Sequence, residues 1–160
     1  MSLSPSQRLA SIEDLLLYRL GRLSNTAGAL VVRLCEGGYG ITRREWAVVA
    51  HLYENGALPP SVLAERMHRD RARTSRTLTA LVKKQMVMRT VTPGDRRGAR
   101  VELTPAGQQL YEDLMPRIQA INGQVLSALE ADEVVQFDDV LVRLQARAQS
   151  LVIELSPNWP

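Results

Sequence analysis

The segment from Pro60 to Gly107 reads PSVLAERMHRDRARTSRTLTALVKKQMVMRTVTPGDRRGARVELTPAG, and the order of its elements decides the fold. Apolar spacing predicts a short helix over 62–68 and a second, basic helix over about 71–84. Two short β-like runs follow, at 87–92 and 100–103, and a loop rich in turn-forming residues joins them. Helix, turn, helix and hairpin in this order predict a winged helix-turn-helix, which is a mainly α fold with a small β-hairpin wing.

Positive charge is concentrated in the same segment. Between Ser61 and Arg100 there are eleven Lys or Arg residues and three acids, which gives a local charge of +8. The rest of the chain holds nine basic and fourteen acidic residues, so the overall charge of +3 conceals a strong polarity. Concentrated positive charge on one element indicates nucleic-acid binding. Because this basic segment has no aromatic residue to stack on single-stranded bases, duplex DNA is the favoured partner.

The basic helix and the hairpin supply the candidate DNA contacts. Residues in the N-terminal half of such a helix reach base edges in the major groove, and Lys83 and Lys84, nearer its C-terminal end, are expected to reach phosphate. Arginines on the hairpin would reach the DNA backbone or the minor groove. The candidate DNA-binding residues are Arg71, Arg73, Thr74, Ser75, Arg76, Thr79, Lys83, Arg96, Arg97 and Arg100. Asp95 is either an acid that orients Arg97 or Arg100, or a plain turn residue.

Long amphipathic helices flank this segment on both sides. Apolar residues recur at helical spacing over 12–34, 105–129 and 131–155, and Thr42-x-x-Glu45 and Thr104-Pro105 are helix-start signals. These flanking helices are more apolar than one small winged helix can cover. We therefore expect a single domain over 1–160, with a DNA-binding lobe at 42–104 and dimerisation helices at 10–37 and 105–156.

Several classes of function are disfavoured by the composition. No apolar run approaches the roughly 18 residues that span a membrane, and acids interrupt the N-terminal apolar residues, so we expect a cytoplasmic protein without a secretory signal. Cys35 is the single cysteine, which excludes an internal disulfide and a cysteine-based metal cage. The sequence shows no Ser/His/Asp set, Gly-rich phosphate loop or close carboxylate pair, so we expect neither catalysis nor a metal or other cofactor.

The sequence resembles the MarR family of bacterial winged-helix regulators across most of its length. The strongest match is Asp95-Arg96-Arg97 followed by Val101-x-Leu103-Thr104-x-x-Gly107. A second match comprises Leu63-Ala64, Asp70, Thr74-Ser75-Arg76, Leu81, Lys84 and Arg89.

The resemblance implies an obligate homodimer of triangular shape that binds a palindromic operator. It places Arg97 in the minor groove and gives Asp95 a part in holding the wing. It also implies a repressor that a small aromatic or phenolic acid releases from DNA. One departure bears on the fold, since Gln85 stands where the family often has Gly. Gln85 should therefore adopt a left-handed cap at some cost, or the helix should end differently.

Three residues are candidates for effector binding, and two alternative functions stay open. Tyr39, Arg43 and Trp46 lie near the junction of the first long helix and the lobe, although core packing explains the two aromatic residues equally well. Cys35 would serve a redox-responsive regulator, but it lies at the end of the first long helix, whereas peroxide sensors of the family carry their cysteine near its start. The remaining alternative is a winged helix that contacts proteins instead of DNA.

Overall fold

The computed structural model describes residues 10–67, 70–90 and 98–155. In chain order its elements are a 3-10 turn (Ile12–Asp14), α1 (Leu16–Arg33), a π-helical turn (Leu34–Gly38), α2 (Arg43–Asn55), α3 (Pro60–Arg66), α4 (Arg71–Lys83), β1 (Val87–Thr90), β2 (Arg100–Leu103), α5 (Pro105–Leu126) and α6 (Ala131–Leu155). This order confirms the predicted mainly α fold with a two-stranded hairpin. None of the helices described in these ranges is long and apolar enough to cross a membrane.

The chain divides into two compact units, Met1–Ile121 and Asn122–Pro160. The predicted lobe at 42–104 lies within the first unit. The second unit contains α6, which has no buried residue. The assignment of 10–37 and 105–156 to dimerisation stays a prediction.

The predicted continuous helix over 12–34 is wrong at its start. The Asp14 carboxylate accepts hydrogen bonds from the N–H groups of Ala10 and Ser11, both at 3.1 Å, and this closes a separate 3-10 turn. Leu15 then adopts an extended conformation, with φ −65° and ψ 130°, so α1 begins only at Leu16. A local side-chain cap has interrupted an apolar stripe that is otherwise helical.

The core of the first unit lies between α2, α3, α4, the hairpin and α5. In β2 the side chains of Val101 and Leu103 are buried while Arg100 faces outward, as expected for a strand with one buried face. β1 and β2 are antiparallel, and Leu58 adds a short third rung through two hydrogen bonds with Val101, at 3.0 and 2.8 Å. Further buried members of this core are Ile41, Val48, Val49, Leu52, Leu63, Leu78, Leu81, Leu110 and Leu114.

Both ends of α4 are capped. At its start the Asp70 carboxylate accepts the Arg73 N–H at 3.0 Å, a standard N-cap that lowers the pKa of Asp70. At its end Gln85 is left-handed, with φ 59°, and is the one non-glycine residue in the described ranges with positive φ. The Met86 N–H bonds to the Leu81 carbonyl and the Gln85 N–H to the Val82 carbonyl, both at 3.0 Å, which forms a Schellman motif. The left-handed alternative for Gln85 is therefore confirmed.

The chain after this cap is fastened to the start of α5. The Met86 carbonyl accepts the Thr104 N–H at 3.1 Å, and the Thr104 hydroxyl donates to the Gln85 carbonyl at 2.6 Å. The Thr104 hydroxyl also accepts the Gly107 N–H at 3.1 Å as the N-cap of α5. A Cβ on Gly107 would lie 2.1 Å from the Met86 oxygen, so this position has no room for a side chain. The Leu-Thr-x-x-Gly sequence is thus a seam between α4, the wing and α5.

An ion pair between a buried carboxylate and a partly exposed ammonium joins α2 to the end of α4. Glu45 is 4% exposed, and its Oε2 accepts the Thr42 N–H at 2.6 Å and the Lys84 ammonium at 2.8 Å. The same ammonium donates to the Gly40 carbonyl at 2.9 Å. Burial alone would raise the pKa of Glu45, but the hydrogen bonds from Lys84 and Thr42 together hold it below its ordinary value. The capping box predicted at Thr42 is confirmed, and the added role of Lys84 follows only from the structure.

Gly107→Ala should destabilise the protein by about 2 kcal/mol, because main-chain atoms on both sides of the seam must move apart. Gly123→Ala is the matched control: Gly123 lies in the same helix, and a Cβ there meets nothing within 4 Å. That change should leave the stability unaltered or raise it by roughly 0.5–1 kcal/mol through helix propensity. Urea unfolding measures both free energies of unfolding. Equal stability of the two variants would contradict the close contact between Gly107 and the Met86 carbonyl.

Lys84→Met should cost about 1–3 kcal/mol, because it leaves the Glu45 carboxylate buried without its cation. This loss is smaller than the loss expected for a fully buried ion pair, because the Lys84 side chain is 37% exposed and water replaces part of the contact. The double variant Glu45→Gln, Lys84→Met should lose less than the sum of the single variants, as measured by a double-mutant cycle in urea. Additive losses would show that the two side chains do not interact.

Acid should remove the contribution of Glu45. Since the folded pKa of Glu45 is lowered, its stabilisation is complete above the unfolded pKa of about 4.3 and disappears as pH falls through the folded value. The difference in unfolding free energy between the wild type and Glu45→Gln should therefore shrink below about pH 4.3. A difference that stays constant from pH 7 to pH 3 would contradict this pKa shift.

Candidate nucleic-acid interface

The outward face of α4 carries the predicted DNA-binding side chains. Leu78 and Leu81 anchor the helix in the core, and the opposite face is exposed. Six of the predicted residues lie on exposed positions of this helix, namely Arg71, Arg73, Ser75, Arg76, Thr79 and Lys83. None of their side chains takes part in an ion pair within the described ranges, so four cations stand free on one helix. This surface can meet a polyanion without first breaking internal pairs.

The structure corrects the predictions for Thr74 and Lys84 and adds a structural contact for Arg100. Thr74 is 3% exposed and its hydroxyl donates to the Asp70 carbonyl at 3.0 Å, so it faces the core and is not a base contact. Lys84, expected near phosphate, is held by Glu45 and Gly40 as described above. Arg100 is exposed, but its guanidinium donates to the Ala57 carbonyl at 2.6 Å, which ties β2 to the end of α2.

The tip of the wing lies outside the described residues. Asp95, Arg96 and Arg97 fall in the 91–97 stretch, so their predicted roles stay predictions. The described part of the hairpin nevertheless places the two strands next to the C-terminal end of α4. β1 begins at Val87, three residues after the cap of α4 at Lys84.

The sequence indicated Arg44 as a further residue that could hold an effector carboxylate, but not that it lies beside α4. It lies in the first turn of α2, and with Arg73, Thr74, Arg76 and Thr77 of α4 it lines a cleft of about 330 Å³. Nothing in the spacing of residues along the chain indicates that positions 44 and 73–77 are neighbours. The role of Asp70 as the N-cap was also missed, although an Asp directly before a helical stripe is a recognisable signal.

The predicted effector residues do not form a single group. Arg43 and Trp46 line a larger groove of about 1060 Å³, together with Val32, Glu36, Arg44, His51, Glu54 and Arg76. Tyr39 is not part of that groove. It packs against the core, and the Arg117 guanidinium carbon lies 5.8 Å from its ring centroid. Tyr39 is therefore withdrawn from the candidate effector site.

Aromatic packing beside this groove connects α2 with α5. Trp46 is 8% exposed and stacks on Tyr111, with ring centroids 5.5 Å apart, and Tyr111 stacks on Tyr53 at 3.8 Å. The Tyr53 hydroxyl donates to the Glu112 carboxylate at 3.2 Å. Trp46 thus belongs to the core and also lines the groove. A molecule bound in the groove would change the surroundings of its indole ring.

Cys35 lies in the π-helical turn and is fully buried. Burial raises the pKa of its thiol, and the negative charge of Glu36 raises it further, although Arg43 opposes both effects. A reactive cysteine needs a lowered pKa and access to solvent. The environment of Cys35 is the opposite of what a peroxide-sensing thiol requires.

Comparison with known proteins agrees with this geometry. The family model described as the MarR family matches residues 41–98. The HTH-type transcriptional repressor MdtR of Bacillus subtilis is 29% identical over 111 residues, which are 69% of this chain and 72% of MdtR.

Two solved structures share the fold. A probable transcriptional regulator from Pseudomonas aeruginosa is 26% identical, with a TM-score of 0.72 and coverage of 84% of this chain and 99% of that chain. The PcaV transcriptional regulator from Streptomyces coelicolor, solved with its natural ligand, is 25% identical, with a TM-score of 0.70 and coverage of 88% and 96%. The capped basic helix, the hairpin, the family model over residues 41–98 and these relatives all indicate a MarR family winged-helix transcriptional regulator.

Proposed function

We propose that this regulator is a homodimeric repressor that binds a palindromic operator in double-stranded DNA and is released from it by a small aromatic or phenolic acid. The observation that carries the proposal is the set of four cations on the exposed face of α4 that form no ion pair with any residue the structure describes. Such a helix docks in the major groove, where side chains from its N-terminal half reach base edges. The repressor role is supported by the similarity to MdtR, which is named a repressor.

The contacts divide into two kinds. Ser75 and Thr79 are short polar side chains on the exposed face and are suited to base edges, while Arg71, Arg73, Arg76 and Lys83 supply charge for bases or phosphates. Arg96 and Arg97 are proposed to extend the contact from the wing, with Asp95 orienting them and Arg97 in the minor groove. Arg100 joins them if DNA displaces its hydrogen bond to Ala57. Phosphate contacts fix the register of the protein, and base contacts select the sequence.

Exposed apolar side chains support the homodimer. On α1, Leu17, Leu23 and Leu30 are 81%, 51% and 45% exposed. On α6, Val142 and Ile153 are 68% and 75% exposed, and no residue of that helix is buried. Soluble monomers rarely leave this much apolar surface on two long helices. The proposed dimer would hold two copies of α4 about one DNA turn apart, which is the geometry that a palindrome requires.

The groove beside Trp46 supports the effector. Arg43 offers a guanidinium for a carboxylate, and Trp46 and Val32 offer apolar contact for a ring. The groove also borders α4 through Arg76 and Ala80, so an occupant would touch the DNA-reading helix. PcaV, a similar protein, was solved with its natural ligand.

Since a DNA-binding regulator acts where the chromosome is, a cytoplasmic location belongs to the same proposal.

The two alternatives lack comparable support. The redox alternative depends on Cys35, which is buried with a raised pKa. A winged helix that contacts only proteins would have no need for four exposed cations along its second helix. Duplex DNA binding therefore remains the proposal, and salt dependence is the property that separates it from protein binding.

Binding to duplex DNA should weaken steeply with salt. If about eight phosphates are neutralised in the complex, the logarithm of affinity should fall with the logarithm of salt concentration at a slope of about −7. Lys83→Gln should reduce the size of that slope by about 0.9 for each bound protomer if Lys83 contacts phosphate. Arg143→Gln removes the same charge from α6, where Arg143 pairs with Asp139, and should leave the slope unchanged. A slope near zero for the wild type would contradict the proposed function.

An aromatic acid should bind in the groove and change the fluorescence of Trp46. In a Trp159→Phe background Trp46 is the single tryptophan, so titration with salicylate reports on this site alone. Arg43→Gln should weaken salicylate, and salicylamide, which has the same ring without the carboxylate, should bind poorly to either form. Operator DNA should weaken salicylate by the same factor as salicylate weakens DNA, typically 5- to 150-fold.

Equal salicylate affinity with and without DNA would contradict this coupling. Equal affinities for salicylate and salicylamide would show that Arg43 does not hold a carboxylate. Release of DNA by peroxide, with no aromatic acid bound, would transfer the switch to Cys35.

A further inference from the structure

The cleft between the start of α2 and the flank of α4 has an unusual lining. Its volume is about 330 Å³, and among the residues that the structure describes it is lined by Arg44, Arg73, Thr74, Arg76 and Thr77. Three guanidinium groups from two helices therefore border one small space, and none of these described lining residues is acidic. Like charges gathered in this way repel one another, and that repulsion is relieved when an anion enters.

The side chains around the cleft have little internal compensation. Within the described ranges, Arg44, Arg73 and Arg76 form no side-chain hydrogen bond and no ion pair. Asp70 attracts Arg73 and Arg76, but its carboxylate is already the N-cap of α4. One acid that is committed to backbone N–H groups cannot neutralise three cations.

The donors available to a ligand are the guanidinium groups. The hydroxyls of Thr74 and Thr77 donate to the carbonyls of Asp70 and Arg73, both at 3.0 Å, so these hydroxyl protons are already used. Each guanidinium presents a planar fork of N–H groups that matches two oxygens of a phosphate. The chemistry of the cleft thus selects a tetrahedral oxyanion with several acceptor oxygens.

We propose that Arg44, Arg73 and Arg76 form an oxyanion site that holds one backbone phosphate of bound duplex DNA. The proposal rests on the proposed function, because it requires α4 to dock in a major groove. The sugar–phosphate strand that borders the groove then runs along the flank of α4, where the cleft lies. Arg44 reaches this phosphate from a different helix, so α2 and α4 hold it together. Arg44 is a positioning residue that fixes the register of α4 on DNA, since phosphate contacts carry no sequence information of their own.

A free anion is the other source of the same chemistry, and the experiment separates the two. The variants are Arg44→Gln, which removes the charge, and Arg44→Lys, which keeps it. Arg143→Gln is the control, because it removes the same charge from α6, where Arg143 pairs with Asp139, and Arg143 does not line this cleft. Affinity for a bound duplex is measured from 50 to 200 mM salt, and again with duplexes that carry a neutral methylphosphonate at one backbone position at a time.

Arg44→Gln should reduce the size of the salt slope by about 0.9 per bound protomer, which is about 3.5-fold less loss of affinity over this fourfold range of salt. At one backbone position per half-site the methylphosphonate should weaken the wild type, Arg143→Gln and Arg44→Lys, but not Arg44→Gln. This loss of sensitivity at one position identifies the phosphate and distinguishes a specific contact from a general loss of charge.

The proposal is overturned if Arg44→Gln keeps the wild-type slope and the wild-type response to every methylphosphonate. It is also overturned if inorganic phosphate binds the wild type and not Arg44→Gln in calorimetry while both bind DNA with the same slope, because the cleft would then be a free-anion site. In both cases a steep wild-type slope leaves the proposed function intact. A flat wild-type slope removes the function itself.

Discussion

The close contact between Gly107 and the Met86 carbonyl is the constraint on which the arrangement of the DNA-binding lobe depends. The carbonyl of Met86 lies where a Cβ on residue 107 would be, and the Thr104 N–H donates to it. Because the same few residues end α4, begin β1 and begin α5, the direction of each of these elements is set at one point. A winged helix-turn-helix needs this fixed relation, since the helix and the wing must meet the same duplex together.

The Glu45–Lys84 pair fixes the same end of α4 from the other side. Lys84 joins the first turn of α2 and the Gly40 carbonyl to the residue that caps α4. A buried ion pair contributes little net stability, because desolvation offsets most of the attraction, but breaking it leaves a buried charge. The pair therefore discourages alternative placements of α4 more than it strengthens the fold. A ligand in the neighbouring groove, which Glu45 also lines, would act next to this connection.

The helix caps and the strand pairing were predictable from the sequence. Thr42 and Thr104 cap helices as their spacing indicates, and β1 and β2 pair within the two β-like runs predicted at 87–92 and 100–103. These features depend on residues within a few positions of one another. The start of α1 was predicted wrongly because the Asp14 carboxylate competes with the helix for the N–H groups of Ala10 and Ser11.

The site was predictable only where a helical period determines exposure. The helical period identified the exposed cations of α4, but the structure shows that Thr74 faces the core. The pairing of Lys84 with Glu45 and the approach of Arg44 to Arg73 join residues 39 and 29 positions apart, and no periodicity encodes such contacts. The positive charge of α4 was therefore evident from composition. The structure was needed to show which of these charges are free and which, like that of Lys84, have a structural role.

Selection from a random library of duplex DNA tests the central claim most directly, since the claim is that two copies of α4 read a symmetric sequence. The purified protein should enrich two inverted half-sites whose centres lie about 10–10.5 base pairs apart, on one face of the duplex. Footprinting of the enriched sequence should then show protection of both half-sites at the same protein concentration. Enrichment of single, unpaired half-sites would contradict the dimeric arrangement, and no enrichment of any duplex sequence would contradict the account as a whole.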